Sequence, residues 1–184
     1  MSPQKRRPAR VGDLRPSEQA TLLERLAKRR DAVGQAVRDE IERLVAAVDP
    51  DEVAGEVQVD LELIAVETIL DRAGEDRHGY TAPHDAAWEV LEETLEPYRE
   101  RLDWYRAAGR LDAYDAYALG VLQGLYDFHH ESDAEWKVWA PDDAAEAFAH
   151  VFDAWKRHRR GAAERQAMQE RLAERCPGWG HRWR

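Results

Sequence analysis

The chain is short of cysteine and of long apolar runs, and both shortages narrow what it can be. One cysteine, Cys176, stands among 184 residues, which excludes an intrachain disulfide and any multi-cysteine zinc site. That agrees with a reducing compartment, and a cytoplasmic location is expected. No stretch approaches the roughly 18 apolar residues that a membrane span needs. Met1 to Arg10 is basic with no apolar segment behind it, so neither secretion nor membrane insertion is expected. Also missing are a Gly-rich phosphate-cradling loop, a Gly-x-Ser-x-Gly elbow and a His-Glu-x-x-His pair. Lysine is scarce too, four residues against 23 arginines, a bias of composition to which no function is attached.

What is there is a soluble, charged, globular composition: 43% hydrophobic and 35% charged residues. The net charge of −10 is unevenly spread. Residues 1–30 carry nine Lys/Arg against three Asp/Glu, residues 155–184 carry the same numbers, and residues 31–154 hold nine against 31. An acidic body with two basic ends admits three readings: the ends fold back onto the body, they touch an anionic partner such as nucleic acid, or they dock a neighbouring copy. Phosphate is repelled by the body, so nucleic acid would be held by the ends alone, through Lys5, Arg6, Arg7, Arg157, Arg159 and Arg160.

Helical periodicity dominates. Leu22, Leu26, Val33, Val37, Ile41, Leu44 and Val48 recur at three, four or seven, one face of a helix that opens near Pro16-Ser17 with Ser17 as its expected cap. Its stripe carries past Asp31 and Gly34. Asp49-Pro50-Asp51-Glu52 starts a second helix, expected to end near Gly74. Within it Val57, Val59, Leu61 and Leu63 alternate like a strand, but no other segment offers such a strand a partner. Glu75 to Thr81 reads as a polar loop. Pro83 opens a helix whose face is Trp88, Leu91, Leu95, Tyr98, Leu102 and Tyr105, expected to kink near Pro97 or to divide there into two abutting helices, and to stop at Gly109. Tyr114, Tyr117, Val121, Leu125 and Phe128 share the next face, with Gly120 and Gly124 four apart, where they let a neighbouring helix come close. Pro141-Asp142-Asp143 starts a helix through Phe148, Phe152 and Trp155, with Met168 and Leu172 continuing the stripe past Gly161. The expected fold is all-α: a single-domain array or bundle of five to six helices over residues 16–175. A flexible basic arm (1–15) precedes it and a Trp/Arg-containing tail (176–184) follows.

Few constellations carry chemistry. Glu75-x-x-His78 occurs once, in the expected loop, and Asp127-x-x-His130 echoes it at a helix end; a di-iron bundle needs the motif on two facing helices. His129, His130, Glu131 and Asp133 form the best candidate metal set, with His78, His84 or Asp85 as helpers. The competing reading is a polar helix end, where histidine complements the dipole. Cys176 stands five residues before His181, with no third group to orient a nucleophilic pair. No catalytic residue and no cofactor are assigned. Of the seven tryptophans, Trp88, Trp104 and Trp155 lie within helical stripes and read as core. Trp136, Trp139, Trp179 and Trp183 lie in or beside expected loops, where aromatic anchors serve recognition.

Gly79-Tyr80, Ala86-Ala87, Leu91 and Leu95, followed by Arg106-Ala107-Ala108-Gly109 and Ala118-Leu119, form a helical-repeat-like run. It resembles the α-helical regions that accompany bacterial SWIM-type zinc fingers, and more loosely tetratricopeptide-like arrays, over roughly residues 20–130. The zinc-finger motif, Cys-x-Cys followed by Cys-x-His, is absent. The resemblance implies a binding scaffold and carries over no catalytic residue. The expectation is therefore a non-enzymatic helical interaction module with a protein partner, self-association remaining open. A metal-binding bundle enzyme and a nucleic-acid accessory factor are the alternatives.

Overall fold

A computed structural model describes residues 10–76 and 79–179. Eight α-helices lie among them, with one two-stranded sheet. The chain gathers into two compact units, Met1–Ala47 and Val48–Arg184, where periodicity alone indicates one domain.

In the first unit, α1 (Pro16–Ala27) and α2 (Ala32–Ala46) pack together after a 3-10 turn at Val11–Asp13. The start at Pro16 is as expected but Ser17 is not its cap: the Glu18 carboxylate accepts the Arg15 backbone N–H at 2.9 Å. One apolar stripe becomes two helices because the backbone turns at Asp31, whose side chain accepts the Gly34 N–H at 3.0 Å. A Cβ at Gly34 would lie 2.2 Å from the Arg29 carbonyl oxygen, so only glycine fits this turn. Arg38 then donates to the Ala27 and Arg29 carbonyls at 2.6 and 2.9 Å, closing the end of α1.

The second unit begins with α3 (Pro50–Glu62), capped by Asp49, whose carboxylate accepts the Asp51 N–H at 2.9 Å. The alternating valines and leucines are thus helical; Val53, Val57 and Leu61 are buried while Val59 and Leu63 face solvent. A short α4 (Val66–Arg72) follows. The expected polar loop is instead an antiparallel strand pair, β1 (Gly74–Asp76) with β2 (Gly79–Thr81), Glu75 opposite Tyr80. Gly74 and Gly79 supply the left-handed conformations that bend the chain there, with φ of 116° and 136°. Next come α5 (Pro83–Ala107), which runs through Pro97, and α6 (Leu111–Glu131). A 3-10 turn (Glu135–Val138) leads to α7 (Asp143–His158) and α8 (Ala162–Arg175). Gly109, at φ 70°, ends α5 as expected.

Helix α6 is the axis of this unit, packed against α3, α5, α7 and α8. Ten of its residues are buried, on more than one face, which is what a central helix requires. Gly120 and Gly124 allow α3 to reach it: a Cβ at either would lie 2.7 or 2.6 Å from the carbonyl oxygens of Pro50 and Ala54. The helix count exceeds five to six because three of the expected stripes are cut by turns that leave the stripe in phase, at residues 28–31, 63–65 and 159–161, while those of α5 and α6 are continuous.

Candidate interaction groove

Three of the tryptophans, Trp104, Trp136 and Trp179, take roles opposite to those expected of them. Trp136 is 1% exposed; its ring stacks on Phe128 at 5.2 Å and its Nε1–H donates to the Leu61 carbonyl at 3.1 Å. The anchor expected there is corrected to a core residue, because the 3-10 turn folds inward over the end of α3. Trp179 is likewise buried, edge-on to Tyr126 at 5.3 Å and to Phe148 at 5.0 Å, so it closes the core beyond α8. Trp139 is half-buried, and Trp183 lies outside the described residues. Trp104, read as core, is 42% exposed, with Arg101 4.7 Å from its ring centre. Trp88 is half-buried beside His150, and Trp155 is core as expected, its Nε1–H held by Asp115 at 2.8 Å. Lys137, between two of the loop tryptophans, donates to the Phe128, His129 and Ser132 carbonyls and so caps α6.

The candidate metal ligands are not brought together. His129 and His130 pack against the Trp179 ring, at 4.9 and 5.6 Å, while Glu131 and Asp133 are exposed. Among the described residues no three His, Cys, Asp or Glu side chains stand close enough to hold a metal ion. His78 lies outside those residues, as does His181. Cys176 is fully buried, and burial pushes its thiol up to about 12, the opposite of an activated nucleophile.

The basic candidates divide. Lys5, Arg6 and Arg7 lie outside the described residues. Arg159 is structural: it pairs with Asp115 at 2.7 Å, with both side chains largely buried. Arg157 and Arg160 are exposed. They share a shallow depression of about 660 Å³ with Lys156 and Arg165, at the corner where α7 meets α8. Arg165 donates to the Lys156 and Arg159 carbonyls at 3.1 and 2.8 Å, which closes the end of α7 and fixes that corner. Among the described residues none of these four cations forms an ion pair. By contrast Arg72, Arg99, Arg106 and Arg175 each meet a carboxylate. Asp153 is the one acid lining the depression among the described residues.

Through His150 and Arg157 the depression continues into a narrower groove between α5 and α7, of about 360 Å³. Its floor is Leu102, Val151 and Ala154, with Tyr114 of α6. Burial pushes the Tyr114 hydroxyl up to about 12, so it remains a neutral donor. On the α5 wall the acids are already matched, Glu92 with Arg99 and Asp103 with Arg106 at 2.9 Å. The α7 wall carries Arg157, which meets no carboxylate among the described residues.

Compared with family models, curated proteins and solved structures, the chain matches none. The functional reading therefore rests on this geometry. The sequence contains part of its signal: Arg157 and Arg160 are among the candidates, but nothing in the chain order marks Leu102 and Ala154 as facing each other across a groove.

Proposed function

We propose that the protein is a non-enzymatic helical interaction module, a scaffold that engages a protein partner through the α5–α7 groove and its basic corner. The observation that carries this reading is a set of four cations, Lys156, Arg157, Arg160 and Arg165, that meet no carboxylate among the described residues and stand beside an apolar-floored groove. They stand on a unit whose residues, 48–184, hold 16 Lys/Arg against 30 Asp/Glu. Surface cations on such an acidic unit find carboxylates readily. Four left together without one among the described residues form a local field of opposite sign to their surroundings, the usual mark of a surface that meets a charged partner. Recognition moves from the tryptophan loops to the groove, since Trp136 and Trp179 are occupied with internal packing.

A photo-crosslinking amino acid at His158, on the exposed rim, tests the reading in the full-length protein in its own cells. The expected result is a discrete protein adduct that disappears when Arg157 and Arg160 are both changed to Glu. The same probe at Glu67 on α4 is expected to give no such adduct. Adducts that are identical at both positions, or that persist after charge reversal, would remove the module reading. A nucleic-acid adduct would favour the accessory-factor alternative, which draws support from the same unpaired Arg157 and Arg160.

A further inference from the structure

The geometry points to an acidic linear peptide with one large apolar side chain as the occupant of this site. The inference rests on the interaction-module reading and names the partner's chemistry.

Two adjoining features of different character make the argument. The groove of about 360 Å³ lies at the small end of the range for ligand pockets, about 300–1,000 Å³. It suits a single anchoring side chain better than a docked helix, which covers several turns of its receptor. Leu102, Val151 and Ala154 give that anchor an apolar floor. Next to it, Lys156, Arg157, Arg160 and Arg165 surround the open depression. A chain whose anchor sits in the groove carries its flanking residues across these cations. Carboxylates on that flank would find donors not already held by other acids. Arg157 and Arg160 spend only their Nε–H groups, on the Asp153 and Arg157 carbonyls at 3.3 Å, leaving their terminal nitrogens without a partner among the described residues. Lys156 rests over the Phe152 ring, 5.5 Å from its centre, with its charge directed at no acid among those residues.

A nucleic-acid strand fits less well. It needs positive charge along its path, whereas the path from the depression along the groove soon meets Asp153, Glu92 and Asp103. The positive surface is a corner, matched to a few carboxylates, and the neighbouring floor is apolar.

The test uses the full chain and a fluorescently labelled synthetic peptide of about twelve residues, rich in Asp and Glu with one central Trp. Two control peptides replace the acids by Asn and Gln, or the Trp by Ser. Fluorescence anisotropy is expected to show binding of the first that is about tenfold or more tighter than of either control and that weakens as salt rises. R157E/R160E is expected to abolish it. Ala154→Trp, which fills the groove, is expected to remove the preference for the anchored peptide over its Ser counterpart while leaving the salt-dependent part. Both variants are checked by thermal melting; Arg157 and Arg160 are exposed and join no ion pair among the described residues, so R157E/R160E should melt like the parent. Equal binding of the acidic and neutral peptides overturns the inference, as does a single-stranded oligonucleotide binding more tightly than the acidic peptide. If the peptides fail while the His158 crosslink to a protein remains charge-dependent, the partner chemistry is wrong and the module reading survives. If the crosslink also fails, both fall.

Discussion

At the scale of single residues, polar atoms on large side chains decide where those side chains go. Trp136 and Trp155 each carry one N–H that must be satisfied when buried, and each finds a fixed acceptor, the Leu61 carbonyl and Asp115. Trp104 has no such enclosure and stands beside arginines instead, a cation–π arrangement compatible with solvent. Trp136→Ala is expected to cost about 3–5 kcal/mol in chemical denaturation, the range for removing a buried aromatic. Trp136→Phe retains the stack on Phe128 but removes one donor from the Leu61 carbonyl, which keeps the Ile64 N–H at 3.4 Å, at a cost of about 0.5–1.5 kcal/mol. Trp139→Ala, at a half-buried position, should cost clearly less than Trp136→Ala. Equal losses at the two positions would contradict the packing described. Cys176 illustrates the same rule without a partner: fully enclosed, its thiol behaves as a small apolar group.

At the scale of elements, helix ends and close approaches do the organising. Basic side chains cap carbonyls at three helix ends: Arg38 on α1, Lys137 on α6 and Arg165 on α7. Part of the basic charge is therefore used internally: Arg165, though it meets no carboxylate among the described residues, is held by carbonyls, Arg159 is held by Asp115, and neither is as free as Arg157 and Arg160. Glycine shows how context reverses a propensity. Gly55 lies within α3, and a Cβ there would meet nothing within 4 Å, whereas a Cβ at Gly120 would press on Pro50 and Val53. Gly55→Ala is expected to stabilise the protein by about 0.5–1 kcal/mol through backbone entropy. Gly120→Ala is expected to destabilise it by about 1–3 kcal/mol, since overpacking exceeds the helix-propensity gain. Denaturant midpoints of the two variants should move in opposite directions.

At the scale of the whole molecule, the two units differ in how much they enclose. In α1 and α2 the sole buried residue is Gly34, and Leu23 and Leu44 are 50% and 60% exposed. In the second unit α6 is surrounded by four helices and its Leu119, Leu122 and Leu125 are fully buried. Stability is carried by enclosed apolar area, so local opening should be easiest in the first unit. Native-state hydrogen exchange on the full chain is expected to be roughly tenfold or more faster in α1 and α2 than at the centre of α6. Equal protection would show that the two units open together. No described helix is long and apolar enough to cross a membrane.

By itself the sequence determined the helical character of the protein, most helix starts and stops, and the reason for two glycines four apart. Those features depend on spacing, on capping chemistry and on the room a residue without a side chain leaves, all of which are local. Pro83, Asp49-Pro50 and Gly109 act within a few residues of themselves, and so they were legible. The tertiary structure alone decided which tryptophans are enclosed, because that depends on what folds over them from distant parts of the chain: Leu61 lies 75 residues from the Trp136 it accepts from. It also decided that one apolar stripe is two helices, since a turn that keeps the stripe in phase leaves no trace in periodicity. And it decided which cations meet no carboxylate among the described residues. Charge counting placed nine Lys/Arg in residues 155–184, but pairing is a property of three-dimensional distance. That distance assigns Arg159 to Asp115 and leaves Arg157 and Arg160 facing outward.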